Sequence, residues 1–223
     1  LTPRSEIEAI VRVTSTSEGH ILDMAPGYGD RVRQRFDGPL FRMDVRFAQD
    51  TWPGIAWRGD GASGAAGDAP IRARLPWSGV EAVDEVGPEV RTPSDVTALT
   101  QDELDAIRIG ANWPAEAEID GTATPAMSGI VGLTVNFEKG CYTGQEFVAR
   151  VHYRDAAPPR RLVQITFEPG SAVAKGADVM VDGEPVGTVT SAVAAVGVGL
   201  GYCKRSVEMP AEGVVGSIVV ALS

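Results

Sequence analysis

The side chains best suited to catalysis or ligand binding lie close together, between Lys139 and Glu146. This stretch contains Cys141, one of only two cysteines in the chain, two residues after a lysine. A thiol acts as a nucleophile only in its thiolate form, and nearby positive charge favours the thiolate. Lys139 and the positive end of a helix that begins just after Cys141 would both supply that charge. We therefore identify Cys141 as a candidate reactive thiol and Lys139 as the residue that stabilises its thiolate.

The sequence also allows a simpler role for Cys141. A lone cysteine more often serves as a small buried apolar residue than as a reactive group. Cys141 and Cys203 fit neither a disulfide framework nor a paired-cysteine metal site. With only two histidines in addition, the chain has too few ligands for a zinc or iron–sulfur centre of its own. We expect no metal bound by this chain, and the low cysteine content fits a reducing cytoplasmic setting best.

A helix is expected to position this stretch. Thr143 and Glu146 have the spacing of a capping box, in which the threonine oxygen accepts the amide hydrogen three residues later and the glutamate reaches back. The helix is predicted to run from Gly144 to about His152. Gly140 would lie in the turn that precedes it.

The first part of the chain predicts an α+β region with an antiparallel sheet. Its strands are indicated by alternating apolar and polar residues or by apolar runs between turns. The predicted strands cover residues 7–13, 20–24, 41–47, 54–58, 72–75, 80–86 and 129–137. Helices are predicted over 25–36 and after Thr100, where Glu103 completes a capping box. From the second helix, Leu104 and Ile107 are expected to face the core.

The pattern changes after Pro158 and Pro159, where short β-rich segments take over. These predicted strands cover residues 162–167, 178–181, 186–192, 198–203 and 214–221. Asp182-Gly183 is typical of a tight hairpin turn between two of them. The segments predict a small all-β barrel or sandwich. We therefore divide the chain into an α/β region over residues 1–157 and a C-terminal β-domain over residues 158–223.

The composition restricts the class of function. The net charge is −10, whereas binding to nucleic acid or to an anionic membrane needs a basic surface. The longest apolar run, 193–200, contains glycines and is too short to cross a bilayer, and no signal peptide is visible. We predict that the protein binds neither nucleic acid nor membranes. The overall negative charge is compatible with a local basic pocket that holds an anionic ligand.

The stretch 139–146, with the sequence Lys-Gly-Cys-Tyr-Thr-Gly-Gln-Glu, resembles the signature of the YgfZ-type folate-binding proteins. The resemblance extends from about Leu99 to the C-terminus. Three further segments carry it: 149–152, 159–163 and 186–191. This family takes part in iron–sulfur cluster assembly and repair, and it is a paralogue of the aminomethyltransferase (T-protein) of the glycine cleavage system.

The resemblance implies an α+β fold. It consists of ferredoxin-like α/β modules around a folate-accepting cavity, closed by a C-terminal β-barrel. It also implies tetrahydrofolate as the cofactor and iron–sulfur proteins as clients. The family's first strand and helix have no counterpart in this sequence, which begins with Leu1 rather than methionine. We therefore expect an N-terminal segment to be missing.

A folate pocket requires an aromatic slot and a carboxylate for the pteridine, together with cations for the glutamate tail. Trp113 and Tyr142 are the candidate slot walls that the resemblance implies. The candidate tail partners are Arg108, Lys139, Arg150 and Arg154. Cys141 and Lys139 would form the functional core, supported by Gln145 and Glu146.

Two positions depart from the family pattern. Gly110 stands where relatives carry a glutamate, which contacts the pteridine in the aminomethyltransferases, and Met127 stands where relatives carry another glutamate. Loss of a buried charged hydrogen bond costs a few kcal/mol, or about one to two orders of magnitude in affinity. We therefore expect weakened tetrahydrofolate binding.

Three functions remain open on the sequence. The first is a folate-linked accessory protein for iron–sulfur clusters. The second is an aminomethyltransferase, which would need an aspartate that residues 1–8 do not supply. The third is a binding-only scaffold with an eroded folate pocket.

Overall fold

A β-hairpin, a helix and a three-stranded antiparallel sheet form the first part of the computed structural model, which describes residues 1–37, 44–65, 69–153 and 157–223. The elements are, in chain order, β1 (Arg12–Thr16), β2 (Gly19–Asp23), α1 (Gly29–Asp37), β3 (Gly54–Arg58), β4 (Ile71–Arg74) and β5 (Ala82–Val86). The sheet has the strand order β3-β5-β4. β1 and β2 form an antiparallel hairpin, in which Thr16 pairs with Gly19.

Ion pairs attach the hairpin to one face of this sheet. Asp84 on β5 accepts hydrogen bonds from two arginines, at 3.2 Å from Arg12 Nη1 and 2.8 Å from Arg58 Nη2. Arg12 also bonds to Asp23 across the hairpin, at 3.0 Å from Nε to Oδ1. One carboxylate on β5 therefore joins β1 to β3.

Three predictions in the first part differ from the structure. The strand predicted over 7–13 is wrong over residues 7–11, where Ile7 is buried and its N–H bonds to the carbonyl oxygen of Ala123 rather than to a strand, so β1 begins only at Arg12. The helix predicted over 25–36 begins only at Gly29. Of the strand predicted over 41–47, residues 44–47 are irregular and residues 41–43 lie outside the described part.

Six strands at the end of the chain form a closed barrel, and they surround most of its apolar core. They are β6 (Arg160–Phe167), β7 (Asp178–Val181), β8 (Glu184–Val193), β9 (Val198–Lys204), β10 (Ala211–Val215) and β11 (Ile218–Leu222), in the barrel order β10-β11-β6-β9-β8-β7. The predicted β-domain is therefore a barrel. The single strand predicted over 214–221 is wrong, because the chain turns back at Gly216, where φ is +61°.

Three helices lie between the sheet and the barrel in the sequence: α2 (Gln101–Gly110), α3 (Val131–Thr134) and α4 (Gln145–Tyr153). The strand predicted over 129–137 is wrong, because α3 forms there and the hydroxyl of Thr134 donates to the carbonyl oxygen of Ile130 at 2.8 Å. The capping box of α2 is confirmed. The N–H of Glu103 bonds to Thr100 Oγ1 at 3.3 Å, and the N–H of Thr100 bonds to Glu103 Oε2 at 2.8 Å.

The last turn of α2 packs against the barrel. Its buried residues are Arg108 and Ile109, whereas Leu104 and Ile107, which we expected to face the core, are only half-buried. Ile109 shares an apolar cluster with residues of both regions: Ala123, Met127, Leu162, Val193, Leu200 and Tyr202. The contact with β8 and β9 thus determines which face of α2 is buried.

Candidate functional site

The turn before α4 is held by a different cap from the one predicted. The N–H of Tyr142 donates to Gln145 Oε1 at 3.0 Å, and the described residues show no hydrogen bond between Thr143 and Glu146. Gln145 therefore reaches back three residues to the turn, but from the first position of the helix rather than from the third, where a capping box places this side chain. α4 begins at Gln145 rather than Gly144.

Gly144 sets the path of this turn. Its φ of +84° lies in the left-handed region that favours glycine. Its carbonyl oxygen accepts a buried hydrogen bond of 2.7 Å from Ser5 Oγ. A Cβ atom at this position would lie 2.5 Å from the carbonyl oxygen of Thr2. The turn that carries Cys141 is thus packed directly on the segment 2–7.

The two cysteines occupy opposite environments. Cys141 is exposed, so it does not serve as a buried apolar residue. Cys203 is fully buried in the barrel core, and this burial raises the pKa of its thiol to about 11. Of the two thiols, only that of Cys141 is accessible for chemistry.

Lys139 and Tyr142 form a cation–π pair beside Cys141. The ammonium of Lys139 lies 4.1 Å from the centre of the Tyr142 ring. The Tyr142 hydroxyl is enclosed and has no hydrogen-bond partner among the described residues. Burial, together with the nearby charges of Glu146 and Tyr153, raises the pKa of Tyr142, so the phenol stays neutral. The stretch thus offers a cation, an aromatic face and an unpaired hydroxyl side by side.

The exposed face of α4 adds another cation and more aromatic surface. The guanidinium of Arg150 lies 5.2 Å from the ring centre of Phe147, and both residues are exposed. His152 stacks on Phe137 with the ring centres 4.2 Å apart. Arg154, another predicted cation, lies outside the described residues.

Trp113 belongs to a separate cluster. Its ring centre lies 6.5 Å from that of Trp77, and the guanidinium of Arg58 covers Trp77 at 4.4 Å. The described contacts therefore do not bring Trp113 and Tyr142 together as two walls of one slot.

Arg108 is a structural residue, so its prediction as a partner of the folate tail is wrong. Its guanidinium donates to Glu118 Oε2 at 3.0 Å, to the carbonyl oxygen of Trp113 at 2.8 Å and to Ser191 Oγ at 3.1 Å. Ser191 also donates to Glu118 Oε1 at 2.6 Å. The tyrosine hydroxyl of Tyr202 donates to the backbone oxygen of Glu118 at 3.1 Å. The sequence reasoning missed this network, because Ser191 and Tyr202 are more than 70 residues away from Glu118.

The two positions that depart from the family pattern have different surroundings. Gly110 is exposed, and a Cβ atom there would meet nothing within 4 Å. Its carbonyl oxygen accepts a hydrogen bond from Gln164 Nε2 at 2.8 Å. Met127 is 6% exposed and packs in the apolar cluster between α2 and the barrel. A side chain longer than glycine can therefore be accommodated at position 110, whereas a charge at position 127 would be buried.

Cavities in the described part of the protein include the following two. One of about 340 Å³ lies between α3 and α4, with Val131, Val148 and His152 in its wall. The other, of about 420 Å³, lies on the sheet beside Trp57 and Glu85. The linings of these two cavities include neither the Lys139–Tyr142 pair nor Trp113.

Within the described ranges, no three His, Cys, Asp or Glu side chains are grouped so that they could hold a metal ion. None of the helices in the same ranges is long and apolar enough to cross a membrane.

The chain resembles a solved structure more clearly than it resembles any sequence. No protein-family model matches it, and no curated protein matches it. The crystal structure of glycine cleavage system aminomethyltransferase T from Bartonella henselae superposes with a TM-score of 0.75 and 18% sequence identity. The match covers 100% of this chain and 72% of that chain. The chain therefore has an aminomethyltransferase-like fold of α/β modules and a C-terminal barrel, as the family resemblance implied.

Proposed function

We propose that this chain, which has an aminomethyltransferase-like fold, is a YgfZ-type folate-binding accessory protein for the assembly or repair of iron–sulfur clusters in the cytoplasm. One observation carries the proposal. The exposed Cys141 lies in a turn held by Gly144, and its sequence neighbours Lys139 and Tyr142 form a cation–π pair. The site therefore combines an accessible thiol with the cation and aromatic face that a folate needs.

The chemistry of these side chains fits tetrahydrofolate. Tyr142 supplies aromatic surface for the pteridine, while its enclosed hydroxyl stays neutral. Lys139 and Arg150 supply positive charge for the carboxylates of the glutamate tail. Glu146 is exposed and can accept hydrogen bonds from the N–H groups of the pteridine. Bound tetrahydrofolate would supply a carrier for one-carbon units, while the residues of this chain bind and orient it.

We expect Lys139→Ala to weaken tetrahydrofolate binding about tenfold, because a charge-assisted contact with the tail contributes about 1.5 kcal/mol or more. The measurement is calorimetric titration under nitrogen. Lys175→Ala is the matched control, since Lys175 is an exposed lysine in a barrel turn, and its affinity should equal that of the parent.

Gly110→Glu serves as a gain-of-binding variant in the same titration. It restores the carboxylate of the relatives at a position with open space, so it should bind tetrahydrofolate more tightly than the parent. The folate proposal is wrong if neither the parent nor Gly110→Glu binds.

In a cell that lacks this gene, Cys141→Ser should fail to restore the activity of an iron–sulfur enzyme that the parent restores. The physical reason is that a serine hydroxyl stays protonated near neutral pH and cannot replace a thiolate. Thr143→Ala is the control, because Thr143 is exposed in the same turn and its loss should leave the activity unchanged. Equal rescue by Cys141→Ser and the parent would remove the thiol from the mechanism.

A second candidate is the binding-only scaffold. It is favoured by the separation of Trp113, which packs near Trp77, from the Lys139–Tyr142 pair. Full rescue of the iron–sulfur enzyme by a chain that binds no folate would support this candidate over the first.

A further inference from the structure

The cavity of about 420 Å³ lies on one face of the β3-β5-β4 sheet. Ile55 is paired directly with Glu85 across the strands, and Trp57 follows Ile55 by two residues. Side chains that are paired across strands, or two residues apart on one strand, point to the same face. The neighbouring Arg58 and Asp84 point to the opposite face, where they meet Arg12 and Trp77. This cavity is therefore separate from the Trp113 cluster and from the Cys141 turn.

The walls of the cavity are largely apolar. They are formed by Ile55, Val90, Pro70 and Pro93, with the indole of Trp57 beside them. Proline and tryptophan side chains lose little conformational freedom when they bind a ligand. The volume lies within the range of small-molecule pockets. The cavity thus forms a largely apolar slot that is large enough for a small apolar group.

A buried carboxylate keeps this slot in shape. Glu85 is 2% exposed and lines the cavity. Its Oε2 accepts a hydrogen bond of 3.0 Å from Trp57 Nε1, and its Oε1 accepts one of 3.1 Å from Arg72 Nε. The second terminal nitrogen of Arg72 is in turn held by the carbonyl oxygens of Ser63 and Ala65, at 2.8 and 2.6 Å. The carboxylate of Glu85, whose charge is balanced by Arg72, therefore fixes the orientation of the Trp57 indole.

Two exposed side chains of opposite charge also line the cavity. Glu89 and Arg91, two residues apart, both line the cavity and are exposed. Since Glu85 is balanced by Arg72, the remaining lining charges are one carboxylate and one guanidinium. A ligand that matches them carries one positive and one negative group above an apolar body.

We propose that this cavity binds a free α-amino acid with an apolar side chain. The side chain enters the slot beside Trp57, the ammonium group lies at Glu89, and the carboxylate bonds to the guanidinium of Arg91, the usual partner for a planar anion. This site goes beyond the proposed folate function, and it does not depend on Lys139, Cys141 or Tyr142.

The test is an NMR titration of the whole chain, with the indole N–H resonance of Trp57 as the readout. The probes are L-phenylalanine, 2-phenylethylamine, which lacks the carboxylate, and 3-phenylpropionate, which lacks the ammonium group. L-phenylalanine should shift the Trp57 resonance and bind about tenfold more tightly than either analogue, since each analogue loses one charged contact.

Two variants locate the contacts. Arg91→Gln should weaken L-phenylalanine binding about tenfold and leave 2-phenylethylamine unchanged, while Glu89→Gln should weaken the amine and leave 3-phenylpropionate unchanged. Arg74→Gln is the control, because Arg74 is an exposed arginine on β4 outside the cavity lining, and all affinities should stay the same. The proposal is overturned if L-phenylalanine leaves the Trp57 resonance in place. It is equally overturned if all three probes bind alike, because the slot would then recognise only the ring.

Discussion

Glu118→Ala is expected to lower the free energy of unfolding by about 3 kcal/mol, because it leaves Arg108 charged and buried without its main partner. Glu118 is fully buried and Arg108 is 8% exposed. The carboxylate also accepts hydrogen bonds from Ser191 Oγ and from the N–H of Ala115, at 2.6 and 2.9 Å. Urea unfolding, followed by circular dichroism, measures the change.

The matched control is Glu116→Ala, two residues earlier in the same turn. Glu116 is exposed, so its loss should change the free energy of unfolding by less than about 0.5 kcal/mol. In a double-mutant cycle, Arg108→Met combined with Glu118→Ala should cost less than the sum of the two single changes. Additive costs would show that Arg108 and Glu118 contribute independently and would contradict the network.

Gly144→Ala is expected to lower the free energy of unfolding by about 2 kcal/mol or more, because it combines an unfavourable backbone conformation with a steric clash. The residue has a φ of +84°, and the added Cβ would meet the carbonyl oxygen of Thr2 at 2.5 Å and the Cα of Ser5 at 3.0 Å. Both obstacles are backbone atoms, which cannot move aside as a flexible side chain does. Urea unfolding again gives the size of the effect.

Gly140→Ala is the control, because it shows whether any substitution in this turn lowers the free energy of unfolding. A Cβ at Gly140 would meet nothing within 4 Å, so this variant should stay close to the parent in stability. The rate at which a thiol reagent labels Cys141 should change in Gly144→Ala, where the turn is displaced, and not in Gly140→Ala. If both variants have the stability and labelling rate of the parent, the packing of Gly144 against the segment 2–7 does not control the turn.

Much of the local structure was predictable, because the signals lie within a few residues of the structure they specify. The capping box of Thr100 and Glu103 was identified from its three-residue spacing, and β3 and β7 were predicted with their observed bounds. The run 129–137 was misread because a short apolar run fits a buried helix as well as a strand. The cap of α4 was misassigned because two pairs in this turn have the three-residue spacing of a cap: Thr143 with Glu146, and Tyr142 with Gln145. The backbone path at Gly144 selects the second pair.

The sequence alone predicts the fold class and the C-terminal β-strands, and it predicts the stretch 139–146 as a candidate functional site. Turn glycines, caps and alternating apolar residues act over short distances along the chain, so they can be recognised without knowing the fold. The buried structural role of Arg108 depends on tertiary packing, because its partner Ser191 lies 83 positions away in the sequence. The same holds for Trp113, which packs near Trp77 rather than Tyr142. The roles of such side chains depend on which distant elements pack together, and no local pattern encodes that pairing.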